Sequence, residues 1–214
     1  MESETFDPDA NVKDVYEIIA NEFDDKRQTQ WDWIESFLDQ YQPGTLLYDI
    51  GCGSGRNIRP GMIGVDNCEN FLKICREKDK DVILGQMTKI PVGSNSGFGL
   101  ICIAAFHHLK TPQERITALK EFKRVLKNKS RMLISVWSID QTHQIKSKNQ
   151  TPKSKLQFHY GDNLVPWTKP GKHTLMRYYY IFRQEELEDL FNEVGLKIIN
   201  HFWNHGNEIY VLET

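Results

Sequence analysis

The chain has 214 residues, 39% hydrophobic and 26% charged, with a formal net charge of −2. That length suits one domain with a self-sufficient core. The composition excludes a disordered chain, and the near-neutral charge excludes a globally basic nucleic-acid binder, so any RNA-facing surface must be local. No apolar run reaches the length of a membrane span; the longest, Leu100 to Phe106, has the size of a buried strand. Met1-Glu2-Ser3-Glu4 lacks the basic-then-apolar order of a signal peptide. Cys52, Cys68, Cys75 and Cys102 form no CxxC pair. The expectations are reduced thiols, no zinc site and a cytoplasmic protein, with or without a nuclear pool.

Residues 11 to 40 carry two amphipathic helical patterns, the first on Val15, Ile18 and Ile19, the second on Trp31, Ile34, Phe37 and Leu38. Arg27 stands at their junction among aromatics, where packing against a sheet edge has no need of it. Pro43-Gly44 breaks the chain before Leu46-Leu47-Tyr48-Asp49-Ile50-Gly51-Cys52-Gly53-Ser54-Gly55. Three glycines in five residues bring no side chains to pack and suit a turn where backbone approaches a ligand. A brief helix is expected over Arg56 to Arg59. Met62-Ile63-Gly64-Val65-Asp66 is then a second apolar run ending in an acid. Strand, glycine turn, short helix, strand, acid is the dinucleotide-type βαβ pattern, in which the second acid accepts from ribose hydroxyls.

Asn67 is a fair N-cap for a helix through Phe71, Leu72 and Cys75, and Asp81 to Gln86 reads as the third strand. Gln86 and Met87 close it, where an amide could accept from an exocyclic amine or simply face solvent. Phe98 to Ala105 is apolar almost throughout, as in the centre of a parallel sheet, and includes Ile103. It ends in Phe106-His107-His108, at the carboxyl end where open α/β sheets bind ligands; a loop-holding role for the histidines is the alternative. Thr111-Pro112-x-Glu114 opens a helix with a cap, a first-turn proline and an acid at N3. Arg131 to Trp137 is the fifth strand, and Gln184 to Val194 is a helix ended by Gly195. Two antiparallel strands follow around Asn204-His205-Gly206.

Thr142 to Lys155 holds Lys146, Lys148, Lys153 and Lys155 with no acid and no apolar periodicity, which reads as a mobile basic loop suited to phosphates or merely to solvent. Val165-Pro166-Trp167 and Arg177-Tyr178-Tyr179-Tyr180 interleave aromatics with cations, either for base stacking and anion contacts or as rim packing.

Asp49-x-Gly51-x-Gly53-x-Gly55 with Asp66 resembles motif I of the class I S-adenosylmethionine (SAM) methyltransferases. Further pieces sharpen the likeness: Tyr16-x-x-Ile19-Ala20-x-x-Phe23, Arg27-x-x-x-Trp31, Phe106-His107-His108, Arg115-x-x-Ala118-Leu119-x-Glu121, Val165-Pro166-Trp167, Arg177-Tyr178-Tyr179-x-x-Phe182, Glu185-Glu186-Leu187-Glu188 and His205-Gly206-Asn207. Together they resemble the eukaryotic tRNA wobble-uridine methyltransferases, namely tRNA methyltransferase 9 and the methyltransferase domain of the AlkB-homologue 8 proteins. The resemblance implies one α/β domain over 1–214 with the class I, Rossmann-like sheet, mostly parallel with a C-terminal antiparallel hairpin and helices on both faces. It implies SAM at Asp49, Gly51, Cys52, Gly53, Gly55, Asp66, Gln86, Met87 and Ile103. It also implies formation of the methyl ester of 5-carboxymethyluridine at the tRNA wobble position. Arg27 or Arg177 would orient the carboxylate, with His107 or His108 shaping the pocket. His108, Lys146, Lys148, Lys153, Lys155, Trp167 and Tyr178 are the candidate tRNA contacts. A small zinc-binding activator is the implied partner, on Val82 to Leu84 with Ile90 and Pro91. Two departures stand out: Gln86 replaces the usual acid after the third strand, and Gly99 an aspartate common before the fourth. A small-molecule methyltransferase and a non-catalytic subunit of the same fold are the competing readings.

Overall fold

The computed structural model describes residues 12–26, 29–139, 158–168, 174–204 and 206–214. Arg27, His205 and the segment with Lys146, Lys148, Lys153 and Lys155 lie outside them. Helices α1 (Val12–Asp25) and α2 (Asp32–Leu38) precede β1 (Leu47–Ile50), β2 (Met62–Asp66), α3 (Glu69–Glu77) and β3 (Val82–Leu84). Then come β4 (Gly97–Ile103), a 3-10 turn at Phe106–His108, α4 (Pro112–Val125) and β5 (Leu126–Val136). The chain finishes with β6 (Gly161–Trp167), β7 (Leu175–Ile181), α5 (Gln184–Glu193), β8 (Lys197–Asn204) and β9 (Asn207–Glu213).

Seven strands form one sheet in the order β3-β2-β1-β4-β5-β9-β8. The first five run parallel, and β9 pairs antiparallel with β5 and β8. Strand alternation sorts the core onto two faces. Tyr48, Ile50, Leu100, Cys102, Met132, Ile134, Tyr210 and Leu212 pack with α4 and α5. Leu47, Ile101, Ile103, Leu133 and Ile209 pack with Ile34, Phe37 and Leu38 of α2 and Leu72 of α3. Helices therefore cover both faces, as expected. Gly99 now has a local reason: a Cβ there would lie 2.6 Å from the Tyr41 hydroxyl. That departure belongs to packing near the start of β4, remote from the carboxyl edge.

Two local expectations are corrected. No helix forms at Arg56 to Arg59; the stretch 51–57 runs as turns, and Pro60 and Gly61, at φ +88°, bar a helix beyond it. Asn67 does not cap α3; Cys68 occupies that position without a side-chain cap. Glu17 of α1 does the capping instead, accepting from the amides of Glu69 at 2.7 Å and Asn70 at 2.9 Å. The capping box at Thr111 and Glu114 is present as read. β6 and β7 make a separate antiparallel ribbon. It is tied to the end of β5 where the Ile139 amide donates to the Phe182 carbonyl at 2.8 Å and the Phe182 amide to the Trp137 carbonyl at 3.2 Å.

Candidate cofactor and substrate site

A cavity of about 860 Å³ opens at the carboxyl ends of β1, β2 and β4, within the ~300–1,000 Å³ typical of ligand sites. Strand order reverses between β1 and β4, so the two connections diverge and leave a crevice there. The glycine turn forms its floor. Gly51 takes φ +72°, and a Cβ on it would lie 2.4 Å from the Ala105 Cβ, so no larger residue fits. Asp66 is held by the turn itself: Oδ2 accepts from the Gly53 amide at 2.8 Å and Oδ1 from the Cys68 amide at 2.9 Å. Each oxygen keeps lone-pair capacity for a diol. Burial raises the Asp66 pKa, against the pull of those amides.

Of the proposed cofactor residues, Gly51, Cys52, Gly53, Asp66, Gln86, Met87 and Ile103 line the cavity. Asp49 and Gly55 do not. Asp49 is 1% exposed and its Oδ2 has no hydrogen-bond partner among the described residues. Burial pushes its pKa up to about 7, partly opposed by Arg56 and reinforced by Asp66. It acts on the site through charge, not contact. Gly55, at φ +78°, lets the turn pass Cys75, whose sulfur would lie 2.9 Å from an added Cβ. Asn57 lines the cavity and was not anticipated; it is buried with its Oδ1 unpartnered.

On the opposite wall stand His108, Arg177 and Tyr179, with Tyr16 and Phe23 arriving on α1. The expected pair of histidines at the mouth divides. His107 is fully buried and off the cavity wall, its ring stacked on Tyr179 at 4.5 Å, and its Nδ1 accepts from the Trp137 amide at 3.2 Å. His108 faces the cavity. Its Nδ1 lies 2.7 Å from the Tyr178 carbonyl and must donate to it, so Nε2 is the acceptor for the Tyr16 hydroxyl at 3.0 Å. Burial drives both pKa values down, that of His108 to about 4, with Arg177 pushing further. Both rings are neutral near pH 7, and the open lone pair of His108 is occupied.

Trp167 and Tyr178 are corrected as tRNA contacts. Trp167 is buried, with the Lys26 amine 4.7 Å and the Arg177 guanidinium 4.8 Å from its ring. Tyr178 is buried and its hydroxyl donates to Asp162 at 2.6 Å. Neither offers an open face to a base.

Two buried arginines invite comparison. Arg115 is satisfied: Nε donates to the Leu109 carbonyl, Nη2 to the Lys110 carbonyl, and Nη1 lies 3.5 Å from Glu186. Arg177 is 6% exposed, yet no carboxylate lies within ion-pair distance among the described residues, and its Nε has no partner. Its Nη1 donates to the Tyr179 hydroxyl at 3.0 Å, and its charge also acts on the neighbouring Tyr16 hydroxyl. A buried cation without a counter-ion is costly unless an anion arrives.

Comparison with known proteins fits this geometry. Residues 48–134 match the methyltransferase domain family. The tRNA (carboxymethyluridine(34)-5-O)-methyltransferase of Schizosaccharomyces pombe is 30% identical over 92% of this chain and 92% of its own length. The chain belongs to the tRNA carboxymethyluridine methyltransferase family. The Xenopus tropicalis tRNA (carboxymethyluridine(34)-5-O)-methyltransferase alkbh8 is 29% identical over 94% of this chain, which spans 40% of that protein's length. Among solved structures, the Haloferax volcanii protein in complex with the Trm112 methyltransferase activator superposes with a TM-score of 0.67 at 15% identity, covering 95% of this chain and 97% of its own. The sheet is thus the class I SAM methyltransferase fold.

SAM is the cofactor of this methyltransferase domain, and the cavity fits it on three counts: the side-chain-free floor at Gly51, the amide-held Asp66 for the ribose diol, and the Asn57 amide oxygen, without a partner among the described residues. SAM supplies a sulfonium-activated methyl group. The protein supplies positioning and an anion site. No histidine or thiol here is poised as a base or nucleophile: the thiols of Cys52, by its contact with Cys75, and of Cys68 and Cys102, by burial, are pushed up. Such a site suits an acceptor that is already ionised.

Proposed function

We propose that this chain transfers a methyl group from SAM to the carboxylate of 5-carboxymethyluridine at the tRNA wobble position, giving the methyl ester. One observation carries the reading: Arg177 is buried in the cavity wall, its Nε without a partner and no acid within ion-pair distance among the described residues. A substrate carboxylate titrates near pH ~4 and needs no base at neutral pH. In the transfer a carboxylate oxygen forms the new C–O bond while the S–CH₃ bond breaks, its electron pair passing to sulfur; no proton moves. What the protein contributes is orientation in a water-poor site, worth roughly 7–11 kcal/mol in well-aligned systems. Arg177 pairs the carboxylate with a donor fork and neutralises it without binding it so rigidly that attack is blocked.

The partner belongs to the same proposal. β3 is the outer strand of the parallel half, and Leu84 on it is 46% exposed, with Val82 and Ile83 partly open. An exposed apolar edge strand invites pairing, and a small zinc-binding activator would cover it. The Haloferax volcanii protein of like fold was solved in complex with the Trm112 methyltransferase activator. Ile90, 3% exposed, is core and drops out of that surface.

The test is methyl transfer from labelled SAM to tRNA from cells lacking the wobble ester, with and without the activator. Alkali-labile label at the wobble uridine is the expected result. SAM binding with no label in any tRNA would refute the substrate.

A further inference from the structure

Four side chains form one polar chain, from Arg177 through Tyr179 and Tyr16 of α1 to His108. Arg177 Nη1–H donates to the Tyr179 hydroxyl oxygen at 3.0 Å, and the Tyr179 and Tyr16 hydroxyls lie 3.4 Å apart. Tyr16 lies 3.0 Å from His108 Nε2, and His108 Nδ1 lies 2.7 Å from the Tyr178 carbonyl. Elementary donor accounting gives this chain one direction. The carbonyl can only accept, so His108 donates from Nδ1 and accepts at Nε2. Tyr16 must then donate its only proton to His108, and can only accept from Tyr179. Tyr179, whose proton is thereby spent, can only accept from Arg177. The His108, Tyr16 and Tyr179 protons are each used once, and no link among them can reverse without breaking another.

We infer that Tyr16 and Tyr179 are positioning residues: their one-way hydrogen-bond chain, anchored at the Tyr178 carbonyl, sets the plane of the Arg177 guanidinium in the cavity wall, where an anionic acceptor would meet it. The inference rests on the reading of Arg177 above. Both tyrosines are otherwise well explained as packing: Tyr16 meets the rings of Phe23 and Phe71, and Tyr179 those of His107 and Trp137. Packing requires the rings and not the hydroxyls. Yet each ring places its oxygen in the interior within reach of the next polar atom, where an unspent hydroxyl would be costly. Tyr16 also arrives on α1, which Glu17 fastens to α3. The alignment of Arg177 therefore depends on the same helix whose Phe23 ring passes 3.8 Å from a Cβ built on Gly53. α1 thus lies against the cofactor floor through Phe23 and completes the chain to the cation through Tyr16.

The test uses the full chain in the form active with tRNA, as Tyr16→Phe, Tyr179→Phe, the double variant and Arg177→Lys. Each phenylalanine keeps the ring and removes one link. The expected result is a roughly tenfold fall in kcat/KM for the carboxymethyluridine tRNA from either single change, at the scale of one charge-assisted hydrogen bond. The double variant should also lose about tenfold and not a hundredfold, since two links of one chain cannot be lost twice. SAM affinity should stay within about twofold. Nitrogen-15 shifts of His108 in the unaltered protein should report a protonated Nδ1 and a bare Nε2. Losses that multiply, single variants as active as the parent while Arg177→Lys is impaired, or a protonated Nε2 on His108 would each overturn the inference alone. Full activity of Arg177→Lys would instead overturn the reading beneath it.

Discussion

Replacing Arg177 by methionine separates a functional cation from a structural one, because the two roles predict opposite signs for stability. In the protein without substrate, Arg177 is 6% exposed and has a hydrogen bond to Tyr179 and stacking with Trp167 at 4.8 Å. Those contacts contribute roughly 1.5–3 kcal/mol for the charged hydrogen bond and ~0.5–2 kcal/mol for the ring. Against them stands the desolvation of an unpaired guanidinium, several kcal/mol after relaxation. The terms nearly cancel, so Arg177→Met should leave stability unchanged or raise it by up to about 2 kcal/mol, a Tm rise of roughly 2–8 °C for a chain of this size. Catalysis should move the other way. Losing one partner of a buried charge pair costs about 2–5 kcal/mol, or roughly 30- to 4,000-fold in kcat/KM for the carboxylate substrate. The assay pairs thermal unfolding with initial rates of methyl-ester formation, and calorimetry with SAM checks that the cofactor still binds. A variant that loses more than 2 kcal/mol of stability, with activity falling only in step with the folded fraction, would refute the argument.

Further predictions concern the glycine turn, the buried acid and the α1 anchor. Gly51→Ala must hold φ +72° and place its Cβ 2.4 Å from Ala105, so denaturant unfolding should show a loss of about 2–5 kcal/mol and calorimetry no SAM binding. Asp49 has its pKa raised to about 7 in the fold, so it costs stability progressively as pH rises from about 4 through 7. A cationic cofactor favours its ionised form; SAM should bind more weakly as pH falls below 7, by up to about tenfold per unit, and Asp49→Asn should flatten that slope in calorimetric titrations. Glu17, although partial burial opposes it, is held below its usual pKa by the amides of Asn70 and Glu69. Its contribution is present above pH ~4.5 and lost as pH falls through the lowered value. Glu17→Ala should therefore cost about 0.5–2 kcal/mol at pH 7 and progressively less as pH falls through that lowered value, read by denaturant melts across the range.

The order of strands and helices was legible because its signals are local. An apolar run such as Phe98 to Ala105 declares a strand buried on both faces, and Thr111-Pro112-x-Glu114 declares a helix start within four residues. The glycine turn with Asp66 was legible for the same reason: a backbone that must pass close to a ligand leaves its mark within the turn. Boundaries were less so; β5 begins at Leu126, five residues before Arg131, because α4 runs straight into extended backbone at Leu126. The site was legible in part. Asp66, Gln86, Met87 and Ile103 stand on the cavity wall, whereas Asp49 acts from beneath it and Trp167 and Tyr178 are packed away.

By itself the sequence determined a SAM-type glycine turn between two strands that end in acids, a parallel sheet with a terminal hairpin, and a family likeness carried by short motifs in order. Only the tertiary structure decided which of its cations is satisfied. Arg115 stands between Glu114 and Ile116 and Arg177 beside Tyr178, and neither setting says what the guanidinium meets: one meets two carbonyls and a carboxylate, the other a tyrosine. The contacts that make the difference span 92 residues from Tyr16 to His108, 163 from Tyr16 to Tyr179 and 52 from Glu17 to Glu69. Local patterns encode backbone conformation and which face is apolar; the pairing of distant polar groups is settled only when the packed elements bring their donors and acceptors within reach.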